Sequence, residues 1–254
     1  MADRISSLRV KIFSDSADQA SIVELSRQPW IKGFTTNPTL MRKAGVTDYE
    51  SFGRALTRRI PDRPFSFEVL SNDFSEMEQQ ALRIATWGEN VYVKIPITDT
   101  YGQSAAALVE RLAKQGVKVN VTAIMTLQQV DDVLPGLKDG PPSNISIFAG
   151  RIADAGVDPL PILRGALARI YDYPQIEMIW ASPRELFNIV QADQIGCHII
   201  TVTPDLLKKL PLIGKDLTQY SLETVKMFVD DARGAGFVLP VEEQKPAREL
   251  IPAR

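Results

Sequence analysis

The run VYVKIP, Val91 to Pro96, sets a single lysine, Lys94, among apolar residues. Burying an unpaired ammonium is costly, and the usual escape is to give up the proton. With Val91, Val93 and Ile95 as neighbours, the amine is expected to lose hydration and titrate below the ordinary lysine value of about 10.4. A neutral amine is a nucleophile that condenses with a carbonyl to a Schiff base. The protonated imine then draws electrons from an adjacent carbon–carbon bond and lets it break. Such a step needs a proton shuttle. Glu68 in FSFEVL and Asp15 in VKIFSDS are the carboxylates available for it.

Polar residues stand late in nearly every other apolar run as well. Asn37 precedes Pro38, and Asn120 and Thr122 lie two apart. Ser146 and Phe148 do the same ahead of Arg151, and Ser182 is followed by Arg184. Each alone has an ordinary structural reading. Asp15 could cap a helix, Asn37 could open an Asn-Pro turn, Glu68 could pair with a lysine, and Thr122 is a common strand residue. Taken together they would make a poor core, because every buried polar group needs a partner. Converging on one pocket, they make a site. Arg151 and Arg184, with Ser182 read as lying at a helix N-terminus, suit a phosphate. Lysine, carboxylates and a phosphate clamp without metal ligands point to a Schiff-base aldolase or aldol transferase on phosphosugars.

Eight short runs rich in Val, Ile, Phe or Thr would carry these residues: VKIFSDS, GFTTNP, FSFEVL, VYVKIP, VKVNVTAIM, NISIFAG, EMIWAS and CHIITVTP. Segments of helical periodicity alternate with them. TYGQSAAALVERLAKQG places Ala106, Val109 and Leu112 on one face and stops at Gly116, and DPLPILRGALARIY follows the same rule. In SPRELFNIVQADQIG, Ser182 and Glu185 have capping-box spacing, with Pro183 in the expected first turn. Eight strands alternating with helices predict an α/β chain folded as a single (β/α)8 barrel, in which the strand C-termini carry the site. No G-x-G-x-x-G follows the first strand, which disfavours a dinucleotide-binding open sheet. One domain over 1–254 is expected, with about 205–254 as a helical extension that could cover a barrel end or dock on a neighbouring subunit. Trp180 is read as pointing inward and filling the barrel.

With 29 basic and 31 acidic residues among 254, the formal charge of −2 argues against a nucleic-acid or anionic-membrane partner. The single cysteine, Cys197, excludes an internal disulfide. The single histidine, His198, reads as a packed strand residue and leaves too few ligands for an ordinary zinc site. No metal and no cofactor are called for. The opening MADRISSLRVKIF has no signal-like apolar stretch, so a cytoplasmic protein is expected.

The motifs SDSAD, GFTTNPTL, FEV, VYVKIP, NVTAIMT, ISIFAGRIAD and ASPRE stand in this order between Val10 and Arg184, and in them the sequence resembles the transaldolase family. The resemblance implies a metal-independent transferase with its Schiff base on Lys94 and Asp15 in proton transfer. Glu68 and Thr122 would hold the catalytic water, and Asn37 and Ser146 the dihydroxyacetone unit. Arg151, Ser182 and Arg184 would bind the acceptor phosphate. Phosphorylated sugars are the implied partners, and a homo-oligomer is compatible with the trailing helices. The aldolase subgroup, which cleaves fructose 6-phosphate without transfer, typically has glutamine and tyrosine where this chain has Glu68 and Phe148. The Glu/Phe pair is transferase-like. Ile147 and Ala149 stand where proline and valine are usual, Ala153 replaces an acid, and Pro183 replaces a bulkier residue. These departures leave open a sugar phosphate outside the pentose phosphate route.

Overall fold

A computed structural model describes residues 5 and 7–240. Eight parallel strands close into a barrel in chain order: β1 (Lys11–Asp15), β2 (Ile31–Thr35), β3 (Phe65–Glu68), β4 (Val91–Pro96), β5 (Val119–Ile124), β6 (Ser143–Ile147), β7 (Ile176–Trp180) and β8 (Ile199–Val202), with β8 back against β1. Between them run α1 (Gln19–Leu25), α2 (Pro38–Lys43), α3 (Tyr49–Arg59), α4 (Phe74–Ala85), α5 (Ala106–Lys114), α6 (Leu127–Leu137), α7 (Ala149–Asp154), α8 (Leu160–Ile170), α9 (Phe187–Gln194) and α10 (Pro204–Leu207). The expected (β/α)8 barrel is the observed one. Two compact units divide at residue 213, Met1–Ile213 and Gly214–Arg254; the second holds α11 (Leu217–Gly234), capped by Asp216, whose carboxylate accepts from the Gln219 N–H at 2.8 Å. The final part of the expected C-terminal extension, 241–254, lies outside the described residues.

Period-2 alternation sorts the strand residues into two layers. Val93, Val121, Ile145, Ile147, Trp180 and Ile200 belong to the large apolar cluster that also takes in Leu108, Leu112, Val130, Leu163 and Ile189 from the helices. Burying each such side chain contributes about 1.5–3 kcal/mol, so this outer layer holds the barrel together. The inward layer is different. Its buried apolar part includes a separate small cluster of Phe13, Ile179 and Ile199, and much of the rest is polar. A Cβ at Gly33 would sit 2.6 Å from the Phe13 ring, so only glycine on β2 lets that phenylalanine fill the interior. Asn120 Nδ2 donates to Ser66 Oγ at 3.0 Å, and Ser146 Oγ donates to Asn120 Oδ1 at 2.7 Å, which satisfies these buried groups across three strands.

This sorting corrects two expectations. Val91, Val93 and Ile95 face the helices and not Lys94, because adjacent strand residues point to opposite faces. Trp180 is buried but outward, registered with Ile147 and Ile200 in the outer cluster, while Ile179 takes the inward position. His198 precedes β8 at the other end of the barrel from Lys94. Its Nδ1 accepts from the Met178 N–H at 3.2 Å, so the expected strand residue is instead a half-buried histidine in the bend just before β8.

Candidate active site

Asp15, Glu68, Lys94, Thr122, Ser146, Phe148, Asn37, Arg151, Ser182 and Arg184 all line one cavity of about 520 Å³ at the C-terminal ends of the strands. The barrel register explains why. Glu68 lies opposite Lys94, Lys94 opposite Asn120, and Asp15 opposite Thr35, so single polar residues at matching heights of successive strands meet at one level. Lys94 is 5% exposed, although Val91, Val93 and Ile95 face away from it. Its Nζ sits 3.0 Å from Glu68 Oε2 and donates to the Thr36 carbonyl at 3.0 Å. Burial here comes from closing the barrel, and the charge is paired with a carboxylate. A buried ion pair of this kind adds little net stability, since desolvation offsets attraction. It does provide the amine with an adjacent proton acceptor.

Asp15, at the end of β1, is half-buried in the same cavity. Burial pushes its carboxyl above the ordinary aspartate value, the positive charge of Lys94 and the Thr35 hydrogen bond pull it back, and Glu68 adds to the rise. Thr35 Oγ1 donates to Asp15 Oδ1 at 2.7 Å and shares a second short hydrogen bond, 2.5 Å, with Thr201 Oγ1. Thr35 and Thr201 were not among the residues expected at the site. Strand alternation could have found both, since each is two residues from an inward position, Gly33 and Ile199.

Thr122 Oγ1 is buried with no hydrogen-bond partner among the described residues, and it opens on the same cavity. A hydroxyl left in this state is suited to holding a water or a substrate oxygen. Its presentation depends on a strand irregularity. The register of β5 against β6 slips between Val121 and Ile124, and Ala123 there has φ 62°. A non-glycine residue in that region costs about 1–2 kcal/mol, and the slip brings Thr122 and Ala123 to the cavity together.

Asn37 has two roles. Its Oδ1 accepts from the Leu40 N–H at 3.0 Å and caps α2, while the residue also lines the cavity. The phosphate-suited end differs from expectation. Ser182 is no helix cap: it has φ 59°, and α9 begins five residues later, at Phe187. Asn188 Oδ1 accepts from the backbone N–H groups of Arg184 and Glu185 at 2.8 and 3.1 Å, so an asparagine inside the helix organises the segment that a capping box was expected to hold. Gly150 is locked against this turn, because a Cβ there would lie 1.7 Å from the Ser182 carbonyl oxygen. Arg184 is ion-paired with Asp154, whose carboxyl is held below the ordinary aspartate value by that hydrogen bond and by the charges of Arg184 and Arg151. Both arginines stand exposed at the cavity rim, where an anion can reach them. Among the described residues no group of three or more His, Cys, Asp or Glu is arranged to hold a metal ion, and no helix is long and apolar enough to cross a membrane.

Residues 12–239 match the model of the Transaldolase/Fructose-6-phosphate aldolase family. A "Probable transaldolase" of Dehalococcoides mccartyi is 33% identical over 215 residues, covering 83% of this chain and 96% of the relative. A "Probable transaldolase" of Streptococcus pyogenes is 36% identical over 226 residues, covering 87% and 97%. Among solved structures, a 2,3-dimethylmalate lyase of the PEP mutase/isocitrate lyase superfamily superposes with a TM-score of 0.51 at 10% identity, covering 96% of this chain and 90% of that one. That likeness reflects the barrel alone. The barrel, the strand-end cluster and a family match across nearly the whole chain agree, and the protein belongs to the transaldolase/fructose-6-phosphate aldolase family.

Proposed function

We propose that this chain transfers a dihydroxyacetone unit from a ketose phosphate to an aldose phosphate through a Schiff base on Lys94. The observation that carries the reading is the buried Lys94–Glu68 pair, 3.0 Å apart, beside a second carboxylate, Asp15, held in the same cavity. Glu68 takes the ammonium proton, and the freed amine adds to the ketose carbonyl. Loss of water leaves a protonated imine. The Asp15 carboxylate then removes the proton from the hydroxyl on the carbon beyond the bond to be cut. That carbon–carbon bond breaks, its electron pair moves into the imine to give an enamine, and an aldose phosphate leaves. With an acceptor aldehyde the enamine forms a new carbon–carbon bond, the proton returns from Asp15, and water releases the product ketose. A carboxyl raised by burial is a stronger base than an ordinary aspartate, which suits this shuttle. Arg151 and Arg184 at the rim would take the acceptor phosphate.

Glu68 and Phe148, which both line the cavity, support transfer over simple cleavage to free dihydroxyacetone. The test is borohydride trapping with fructose 6-phosphate, followed by peptide mass mapping, with and without an aldose phosphate acceptor. A reduced three-carbon adduct on the Lys94 peptide that is discharged by acceptor supports transfer. A three-carbon adduct lost equally fast without acceptor points to the lyase. No adduct with any ketose phosphate refutes the Schiff-base reading.

A further inference from the structure

The end of β3 is held in an unusual way. β2 and β3 are registered only at Phe34–Phe65 and Thr35–Ser66, and the last strand-like bond runs from the Thr36 N–H to the Ser66 carbonyl at 3.2 Å. Beyond it, the peptide groups of Glu68 that face β2 have no strand partner. The hydroxyl of Tyr49 takes both of them. The Glu68 N–H donates to Tyr49 Oη at 2.8 Å, and Tyr49 Oη donates to the Glu68 carbonyl at 2.9 Å. On the opposite side, the Val69 N–H donates to the Lys94 carbonyl at 3.1 Å. The residue whose carboxylate pairs with Lys94 is therefore clamped from β4 and from the first turn of α3.

Packing fixes the clamp itself. The Tyr49 ring meets Trp87 edge-on, with centroids 5.1 Å apart at 88°, and Phe67 at 6.2 Å and 69°. Trp87 fits against α3 only because position 53 is glycine, where a Cβ would lie 2.3 Å from its ring. Burial pushes the Tyr49 phenol well above its ordinary value, so it remains a donor across the working pH range.

We propose that Tyr49 is a positioning residue: it fixes the Glu68 backbone and thereby holds the Glu68 carboxylate against Lys94 in the geometry that proton transfer needs. The kinetic part rests on the reading of the preceding subsection, and the geometric part does not. Tyr49→Phe keeps the ring and removes only the hydroxyl. At constant pH, the Glu68 side-chain carboxyl carbon and the Lys94 Nζ resonances are both expected to move in this variant. Schiff-base formation with fructose 6-phosphate, followed by borohydride trapping, is expected to slow about tenfold at an unchanged half-saturating concentration. In a Glu68→Gln background the same substitution is expected to slow it less than about twofold, because its effect passes through that carboxylate. Resonances that stay in place overturn the proposal, as does equal slowing in both backgrounds. A chain that forms no adduct at all refutes the Schiff-base reading instead, and the two resonances still decide the role of Tyr49.

Discussion

Both ends of this barrel carry a lysine paired with a glutamate, yet only one of these pairs is buried in the strand-end cavity. At the N-terminal ends of the strands, Lys11 Nζ lies 2.5 Å from Glu177, with side chains 39% and 31% exposed. Lys32 donates to the Pro29 carbonyl, and Arg63 donates to the Ile31 carbonyl and pairs with Asp62. Each of these charges has a local partner, and the Lys11–Glu177 pair is partly open to water. At the opposite end, the Lys94 and Glu68 side chains are 7% and 18% exposed, a second, half-buried carboxylate lines the same cavity, and Thr122 has an uncommitted hydroxyl. Residue type does not separate the two ends. What separates them is whether a charge is kept out of water next to groups that still have bonding capacity to offer a substrate.

The sharpest test exchanges the same residue at both ends. Lys94→Met should abolish adduct formation and lower turnover by at least about a thousandfold, as removal of a covalent nucleophile does. The fold should persist by circular dichroism. Glu68 keeps access to the cavity, so the cost stays below the about 3–5 kcal/mol of breaking a fully buried pair. Substantial residual turnover in this variant would remove Lys94 from the mechanism. Next, Asp15→Asn should reduce kcat by about 10²–10⁴, the usual contribution of a positioned acid–base group. A donor KM that rises while kcat holds would instead assign Asp15 to binding.

At the rim, Arg184→Ala should raise KM for a phosphorylated acceptor about tenfold with kcat nearly unchanged, in line with one charge-assisted bond. Gly150→Ala should act in the same direction by displacing the Ser182 turn. Steady-state kinetics with phosphorylated and unphosphorylated acceptors distinguish a phosphate effect from a general one.

The titration of Asp15 offers a further contrast. Its folded value is raised, so its contribution to stability is fully present below the ordinary aspartate range and is lost as pH rises through the raised value. Asp15→Asn should therefore unfold at higher urea than the parent at pH 7, and the gap should close on acidification. In activity, Thr35→Val removes a donor to the charged form and should move the acid limb of kcat/KM to higher pH. The smallest expected effect belongs to the N-terminal pair. Lys11→Met should leave turnover within about twofold and cost no more than about 1 kcal/mol, given the exposure of both partners.

The barrel and its site were legible in the sequence to the extent that alternation carries them. Runs such as VYVKIP and VKVNVTAIM announce strands, and one polar residue near the end of each marks the face that turns inward. That rule predicts that Lys94, Glu68, Asp15 and Thr122 share one cavity, and they do. Applied more strictly, it would also have found Thr35 and Thr201, and it would have turned Trp180 outward. Ser182 differs from expectation because S-x-x-E before an apolar run is a local signal, whereas the left-handed backbone at Ser182 packs against Gly150 from another part of the chain.

Residue type and period, then, determined the strands, the inward set and the chemistry that set can support. The tertiary structure alone decided how Lys94 is buried, with Glu68 as its partner and outward-facing valines playing no part. It alone placed Tyr49 on the Glu68 peptide, nineteen residues away in sequence. The physical reason is common to both. Periodicity is a property of one element, whereas a buried charge and a clamped backbone depend on which elements meet when the barrel closes.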